Sequence, residues 1–217
     1  FQAEDGIRDF CLSRGLGDVY KRQVTMSSLD LQLRDQAIKA LTCGDVIAYP
    51  TEAVWGLGCD PFNSLAVDKL LALKGRSVKK GLILVAAHFD QCELITRHLP
   101  REQFNRLQTS CQPTAPIKRA TTWLVPSNDS IPAWITGQFD TVAIRVSRHP
   151  IVAELCQAFG GMIVSTSANP QGQAAAINQH QAERYFSNRI RVYVEGDLGG
   201  QQQTSELRHL VTNEVLR

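Results

Sequence analysis

The chain has 217 residues, 43% of them hydrophobic and 20% charged, with a formal net charge of +2. That length and balance fit one large domain with a real core, and they announce neither a chain-wide nucleic-acid binder nor a disordered polymer. No apolar run reaches bilayer-spanning length and no basic-then-apolar leader opens the sequence, which points to a cytoplasmic protein without membrane contact. Residues 1–25 differ from the rest. Charges of both signs alternate, Gly6, Gly15 and Gly17 interrupt any helix, and the apolar residues keep no period. The segment resembles translated sequencing-adaptor DNA and is set aside as non-native or disordered, which leaves residues 26–217 as the domain. Leu29, Leu33, Ala37, Ile38 and Leu41 then follow helical spacing, with Gly44 just past the end. Residues 46–49 read as a buried strand stopped by Pro50. Ser64 opens a helix with Val67, Leu70, Leu71 and Leu73 on its core face, closed by Gly75. A strand over residues 82–86 and a helix from Pro100 toward Leu107 follow, and the pattern is lost over residues 109–120. Strands over 122–125 and 142–146, a helix over 151–159 started by Pro150, and a strand over 162–164 come next. Asn178 caps a helix through Phe186, and residues 192–194 and 210–216 read as late edge strands. Alternating strands and helices predict a single α/β domain with helices packed on a mixed sheet.

The six cysteines, Cys11, Cys43, Cys59, Cys92, Cys111 and Cys156, form no CxxC pair and no Cys/His ligand spacing. A disulfide framework or zinc site is not indicated, and a reducing compartment with inert buried thiols is expected. No metal site is read from Asp60, Asp68, Asp90 and Asp140, nor from the five histidines, which lack ligand or triad spacing. There is no GxxxxGK[ST] loop and no GxGxxG before a helix.

Two distant motifs carry the chemistry. Lys74-Gly75-Arg76 places two cations at a helix end, where a plain charged terminus and a phosphate grip are both admissible readings. Ser165-Thr166-Ser167-Ala168-Asn169 leaves a strand as a polar loop, either an ordinary turn or the ligand-facing strand exit of an α/β sheet. Arg145 interrupts an apolar strand and needs a partner, whether a structural carboxylate or an anionic ligand.

Together with the run PTEAVWGLG at residues 50–58, these motifs make the chain resemble the YrdC/TsaC family, the threonylcarbamoyl-AMP synthases of tRNA modification. The resemblance runs from about Leu29 to the C-terminus and fits the short, single-domain bacterial form. It implies a curved, twisted mixed sheet with helices around a concave basic cavity. It also implies condensation of L-threonine, bicarbonate and ATP into threonylcarbamoyl-AMP and pyrophosphate, with Mg2+ accompanying the nucleotide. Downstream tRNA threonylcarbamoyl-transfer proteins would take the product, and contact with tRNA would use the cavity's charge. Carried over residue by residue, Lys74, Arg76, Ser167 and Asn169 match the phosphate-binding set, with Lys74 and Arg76 in the catalytic role. Arg145 matches the arginine of the AxRV strand, Thr51 the threonine-binding residue, and Lys80 a position that contacts the amino acid. The family's W-P-G-P-x-T stretch is replaced by a longer one over residues 110–123, in which Thr122 matches the nucleotide-side threonine. Two alternatives stand beside this reading: a YciO-like paralogue, and a non-catalytic module binding tRNA or double-stranded RNA.

Overall fold

The computed structural model describes residues 29–112 and 119–216. The segment set aside at residues 1–25 lies outside the described residues, as does the centre of the replaced stretch, residues 113–118.

Eight strands form one mixed sheet, in the order β7-β1-β2-β6-β3-β5-β4-β8. In chain order they are β1 (Ile47–Pro50), β2 (Trp55–Gly58), β3 (Ile83–Ala86), β4 (Thr121–Pro126), β5 (Thr141–Val146), β6 (Ile163–Ser167), β7 (Val192–Tyr193) and β8 (Glu206–His209). β6 is antiparallel to both of its neighbours, pairing Leu57 with Thr166 on one side and Ile83 with Ser165 on the other. β3 runs parallel to β5, with Val85 opposite Arg145.

The helices are α1 (Leu31–Thr42), α2 (Ser64–Lys74), α3 (Glu93–Thr96), α4 (Arg101–Cys111), α5 (Ala133–Thr136), α6 (Pro150–Phe159) and α7 (Gln179–Phe186). Their ends follow ordinary capping chemistry. Asp30 Oδ1 accepts the Gln32 and Leu33 N–H groups at the start of α1, at 2.8 and 3.2 Å. Asn63, one residue before the predicted Ser64, caps α2 through Ala66 N–H. Gly75 and Gly160 adopt left-handed conformations that end α2 and α6.

Strand alternation sorts the apolar residues to two faces. Ile47, Tyr49, Val85, Ile163 and Val192 pack with α1 and α6. Val46, Ala48, Trp55, Leu57, Leu84, Ile144 and Val164 pack with α2, α4 and α7 on the other side. A sheet buried on both faces leaves its strand ends and loops as the places where a ligand can reach polar groups.

Three local expectations change. β2 follows the predicted β1 strand as the second arm of a hairpin, although two of its four residues are glycine. The reason is close approach: a Cβ on Gly58 would sit 2.8 Å from both the Tyr49 ring and the Val164 carbonyl oxygen. The Ser/Thr run is strand up to Ser167, so the polar loop begins only at Ala168. The C-terminal strand is Glu206–His209, pairing parallel to β4, and residues 210–216 form a turn that returns through a Val215–Arg208 bridge.

Candidate active site

Lys74 is the last residue of α2 and is only 4% exposed. Its ammonium donates to the main-chain carbonyl of Ser167, to that of Asn169 at 3.0 Å and to Asn169 Oδ1 at 3.3 Å. Its own carbonyl accepts the Gln171 N–H at 2.7 Å. One lysine thus ties the end of α2 to the exit of β6. Burial, reinforced by the neighbouring Arg76 charge, lowers the Lys74 pKa to about 8. The β6 exit is braced internally as well. Ser167 Oγ donates to Asn169 Oδ1 at 2.6 Å, and Asn169 Nδ2 donates to the Gln173 carbonyl at 2.6 Å.

Left-handed Gly75 and the Arg76 N–H bond to the Leu71 carbonyl at 3.1 Å close α2 in a Schellman-type turn. That turn aims Arg76 away from the helix. Its guanidinium donates to the Gly81 carbonyl at 3.0 Å while Nε finds no partner among the described residues. Partial burial lowers its pKa, and a guanidinium so placed keeps its charge.

These elements enclose a cavity of about 200 Å³ whose wall includes Thr51, Glu52, Arg76, Arg145, Ser167 and Ser205. Thr51 and Glu52 lie in the four-residue turn between β1 and β2, where Thr51 Oγ1 donates to the Val54 carbonyl at 2.7 Å. The hydroxyl oxygen keeps its lone pairs for a donor from a ligand. Arg145 enters from β5 and forms an ion pair with Glu52, NH2 to Oε2 at 3.4 Å. Glu52 Oε1 also accepts from Ser147 Oγ at 2.7 Å. Burial pushes the Glu52 carboxyl up, but Arg145, the Ser147 hydroxyl and further hydrogen bonding outweigh it, so the net shift is downward.

The structure therefore gathers Thr51, Arg76, Arg145 and Ser167 on one wall, with Lys74 and Asn169 directly behind Ser167. Arg145 has the carboxylate partner that one sequence reading called for, and its side chain also lines the cavity. Thr122 is fully buried and shares a 2.7 Å hydrogen bond with Ser205 Oγ, so Ser205 rather than Thr122 faces the space. Lys80 does not line this cavity. It is exposed, donates to Gln171 Oε1 at 3.4 Å, and borders an adjoining, more apolar cavity that shares Arg76, Leu82 and Ile83. Glu52 and the strap containing Gln201, Gln203, Thr204 and Ser205 had no assigned role in the sequence reading. The signal available was the polar run Gln201-Gln202-Gln203-Thr204-Ser205 after two glycines. The strap is pinned where the Gly199 and Gln201 N–H groups bond the Thr51 and Glu52 carbonyls at 3.1 and 2.9 Å.

A two-faced mixed sheet with a polar, arginine-lined cavity where α2 meets the exit of β6 defines an α/β protein with a cation-bearing polar site. Residues 39–217 match the Sua5/YciO/YrdC family model, described as "Telomere recombination", and the chain belongs to that family. Relatives named threonylcarbamoyl-AMP synthase from Acinetobacter baumannii (strain AYE) and Saccharophagus degradans are 47% and 48% identical over 182 residues. Those matches cover 84% of this chain and 96% and 92% of the relatives. Among solved structures, P. abyssi Sua5 complexed with L-threonine matches with a TM-score of 0.75 and 28% identity over 86% of this chain. This chain spans 53% of that longer one. E. coli YciO shares the fold, with a TM-score of 0.72 and 20% identity, covering 86% and 88% of the two chains.

Proposed function

We propose that this protein is a threonylcarbamoyl-AMP synthase, a nucleotidyltransferase that joins L-threonine, bicarbonate and ATP into threonylcarbamoyl-AMP and pyrophosphate. The observation that carries the reading is the convergence of Arg76, Arg145 and Ser167 on one cavity, with Lys74 buried behind it. The synthase-named relatives, near half identity, favour it over a YciO-like role, for which the likeness is one of fold. No feature of the cavity favours the non-catalytic RNA-binding alternative.

Threonine's amine adds to bicarbonate with loss of water and gives a carbamate. A carbamate oxygen then attacks the α-phosphorus, the bond to the bridging oxygen breaks, and pyrophosphate leaves. The carbamate, the triphosphate and the leaving pyrophosphate are all anions, so the residues act by positioning and charge neutralisation rather than as nucleophiles. Arg76 and Ser167 face the phosphates, while Lys74 and Asn169 brace that set from behind Ser167 and the lysine adds its charge. Arg145 meets the developing charge from β5, and Thr51 orients the amino acid. The Thr122–Ser205 pair acts from the nucleotide side through Ser205, and Lys80 acts from the rim. Among the described residues Glu52 is the one carboxylate on the cavity wall, where Arg145 engages it, and they contain no cluster of metal-ligating side chains. Mg2+ in this reading would arrive with the triphosphate and depart with pyrophosphate, as part of substrate and product. Residues 26–217 form the catalytic domain, the product passes to tRNA threonylcarbamoyl-transfer proteins in the cytoplasm, and the tRNA itself makes contact at the cavity mouth.

A pyrophosphate-release assay with ATP, bicarbonate and a panel of amino acids tests this. Release should require both bicarbonate and L-threonine. Release that ignores the amino acid, or no release at all, would overturn the assignment.

A further inference from the structure

Within the cavity wall Glu52 has the wrong sign. A site for a triphosphate, a carbamate and a leaving pyrophosphate gains from cations, whereas a carboxylate beside them repels each of these anions. Its surroundings give the reason. The Glu52 side chain is 9% exposed and that of its partner Arg145 is 11% exposed. Arg145 reaches the cavity from the middle of the sheet on a flexible arm. Among the described residues its guanidinium meets one polar partner, Glu52, and its Nε has none. The carboxylate is itself fixed by Ser147 Oγ at 2.7 Å, and the Ser147 hydroxyl oxygen in turn accepts the His149 N–H at 3.2 Å. His149 Nε2 faces the Asp197 carbonyl at 3.0 Å, so the chain of contacts ends on the strap that borders the cavity. The Glu52 main chain is held to the same strap by Gln201.

We infer that Glu52 is a positioning residue: with Ser147 it aims the Arg145 guanidinium at the reacting phosphate and does not itself bind substrate. This rests on the synthase reading and assigns to the second residue of the β1–β2 turn a role in transition-state geometry. An arginine freed of its counter-charge still attracts a polyanion, and does so more strongly, but no longer presents its fork in one orientation.

The signature is a split between binding and turnover. Glu52→Gln keeps an acceptor for Ser147 and removes the charge. ATP affinity measured by calorimetry should stay level or tighten, while kcat for pyrophosphate release falls roughly ten- to a hundredfold. In an Arg145→Met background Glu52→Gln should change kcat little further, because the residue acts through the arginine. Ser147→Ala, a milder change that leaves the ion pair in place, should lower kcat in the same direction by less. It remains informative where Glu52→Gln fails to fold. Unchanged kcat in Glu52→Gln and in Ser147→Ala would overturn the inference. So would additive losses in the double variant with a raised KM for threonine, which would make Glu52 a substrate ligand. A silent wild type in the same assay would overturn this inference together with the synthase reading, whereas an active wild type matched by an equally active Glu52→Gln would overturn this inference alone.

Discussion

Lys74 is where one side chain carries two opposed demands. Its folded pKa of about 8 lies below the ordinary lysine value, so the unfolded chain binds more protons between the two. Lys74 therefore contributes stability that is complete above the ordinary lysine pKa and is lost as pH falls through about 8. Binding of an anionic nucleotide moves the other way, because it favours the protonated ammonium. Raising the pH from about 7 to about 9 should weaken ATP binding while the Lys74 contribution to the empty protein's stability rises. Calorimetry across that range, in buffers of different ionisation enthalpy, should detect proton uptake on binding, and Lys74→Gln should abolish the uptake. Arg76 offers the cleaner deletion, since Lys74 also satisfies three part-buried acceptors. Arg76→Ala should cost roughly 1.5–3 kcal/mol of transition-state stabilisation, about ten- to a hundredfold in kcat/KM, with a small change in Tm. The cationic residues were legible in the sequence because charge beside a helix stop is a local signal. Glu52 was not, since its meaning depends on Arg145, 93 positions later, coming within 3.4 Å.

At the level of elements, the turns that set the site are made by glycines with different tolerances. Gly75 is left-handed, and an added Cβ there meets nothing within 4 Å, so Gly75→Ala should cost only backbone strain, about 1–2 kcal/mol. Gly137, also at positive φ, is packed against the 3-10 turn after Arg76: a Cβ would lie 2.6 Å from both Gly81 N and Lys79 O. Gly137→Ala should therefore depress Tm well beyond Gly75→Ala, and thermal unfolding of the two variants compares them directly. Helices were the easiest elements to read, because apolar spacing and caps coincide, as in α1, α2 and α6. β2 was hidden by Gly56 and Gly58, whose placement answers to the neighbouring Tyr49 ring and β6 backbone rather than to strand propensity. The C-terminal strand was displaced for a related reason. Residues 206–209 carry charge because β8 is an edge, where the Arg208 guanidinium lies over the Trp123 ring at 5.8 Å and bonds Glu206. The apolar residues nearby made a stronger strand pattern, but the chain turns at Leu210 and they return to β8 through the single Val215–Arg208 bridge.

For the molecule as a whole, chemical accessibility should follow the two-faced core. Burial pushes the Cys92 and Cys156 thiols up to about 12 and raises Cys59 further, while Cys43 lies exposed at the end of α1. A thiol reagent on the native protein at neutral pH should therefore label Cys43 well ahead of these three, with mass spectrometry of digests reading the order. Rapid labelling of Cys59 or Cys92 would mean that the sheet opens locally. The position of β6 has a consequence for how the protein comes to exist. In the sheet it stands between β2 and β3, so one group of strands, β7-β1-β2, and another, β3-β5-β4-β8, meet only through it. Yet β6 is drawn from residues 163–167, after β1 to β5 in the chain and far in sequence from its partner β2. Pairings across so much intervening chain are costly to close and form late. A nascent chain that ends before residue 163 already contains Thr51, Glu52, Lys74, Arg76 and Arg145, but its two half-sheets have nothing to join them and Lys74 has no Ser167 or Asn169 to hold. Nucleotide affinity should thus emerge late in synthesis, once this five-residue strand has slid between two waiting edges and the strap that ends at Ser205 has followed it.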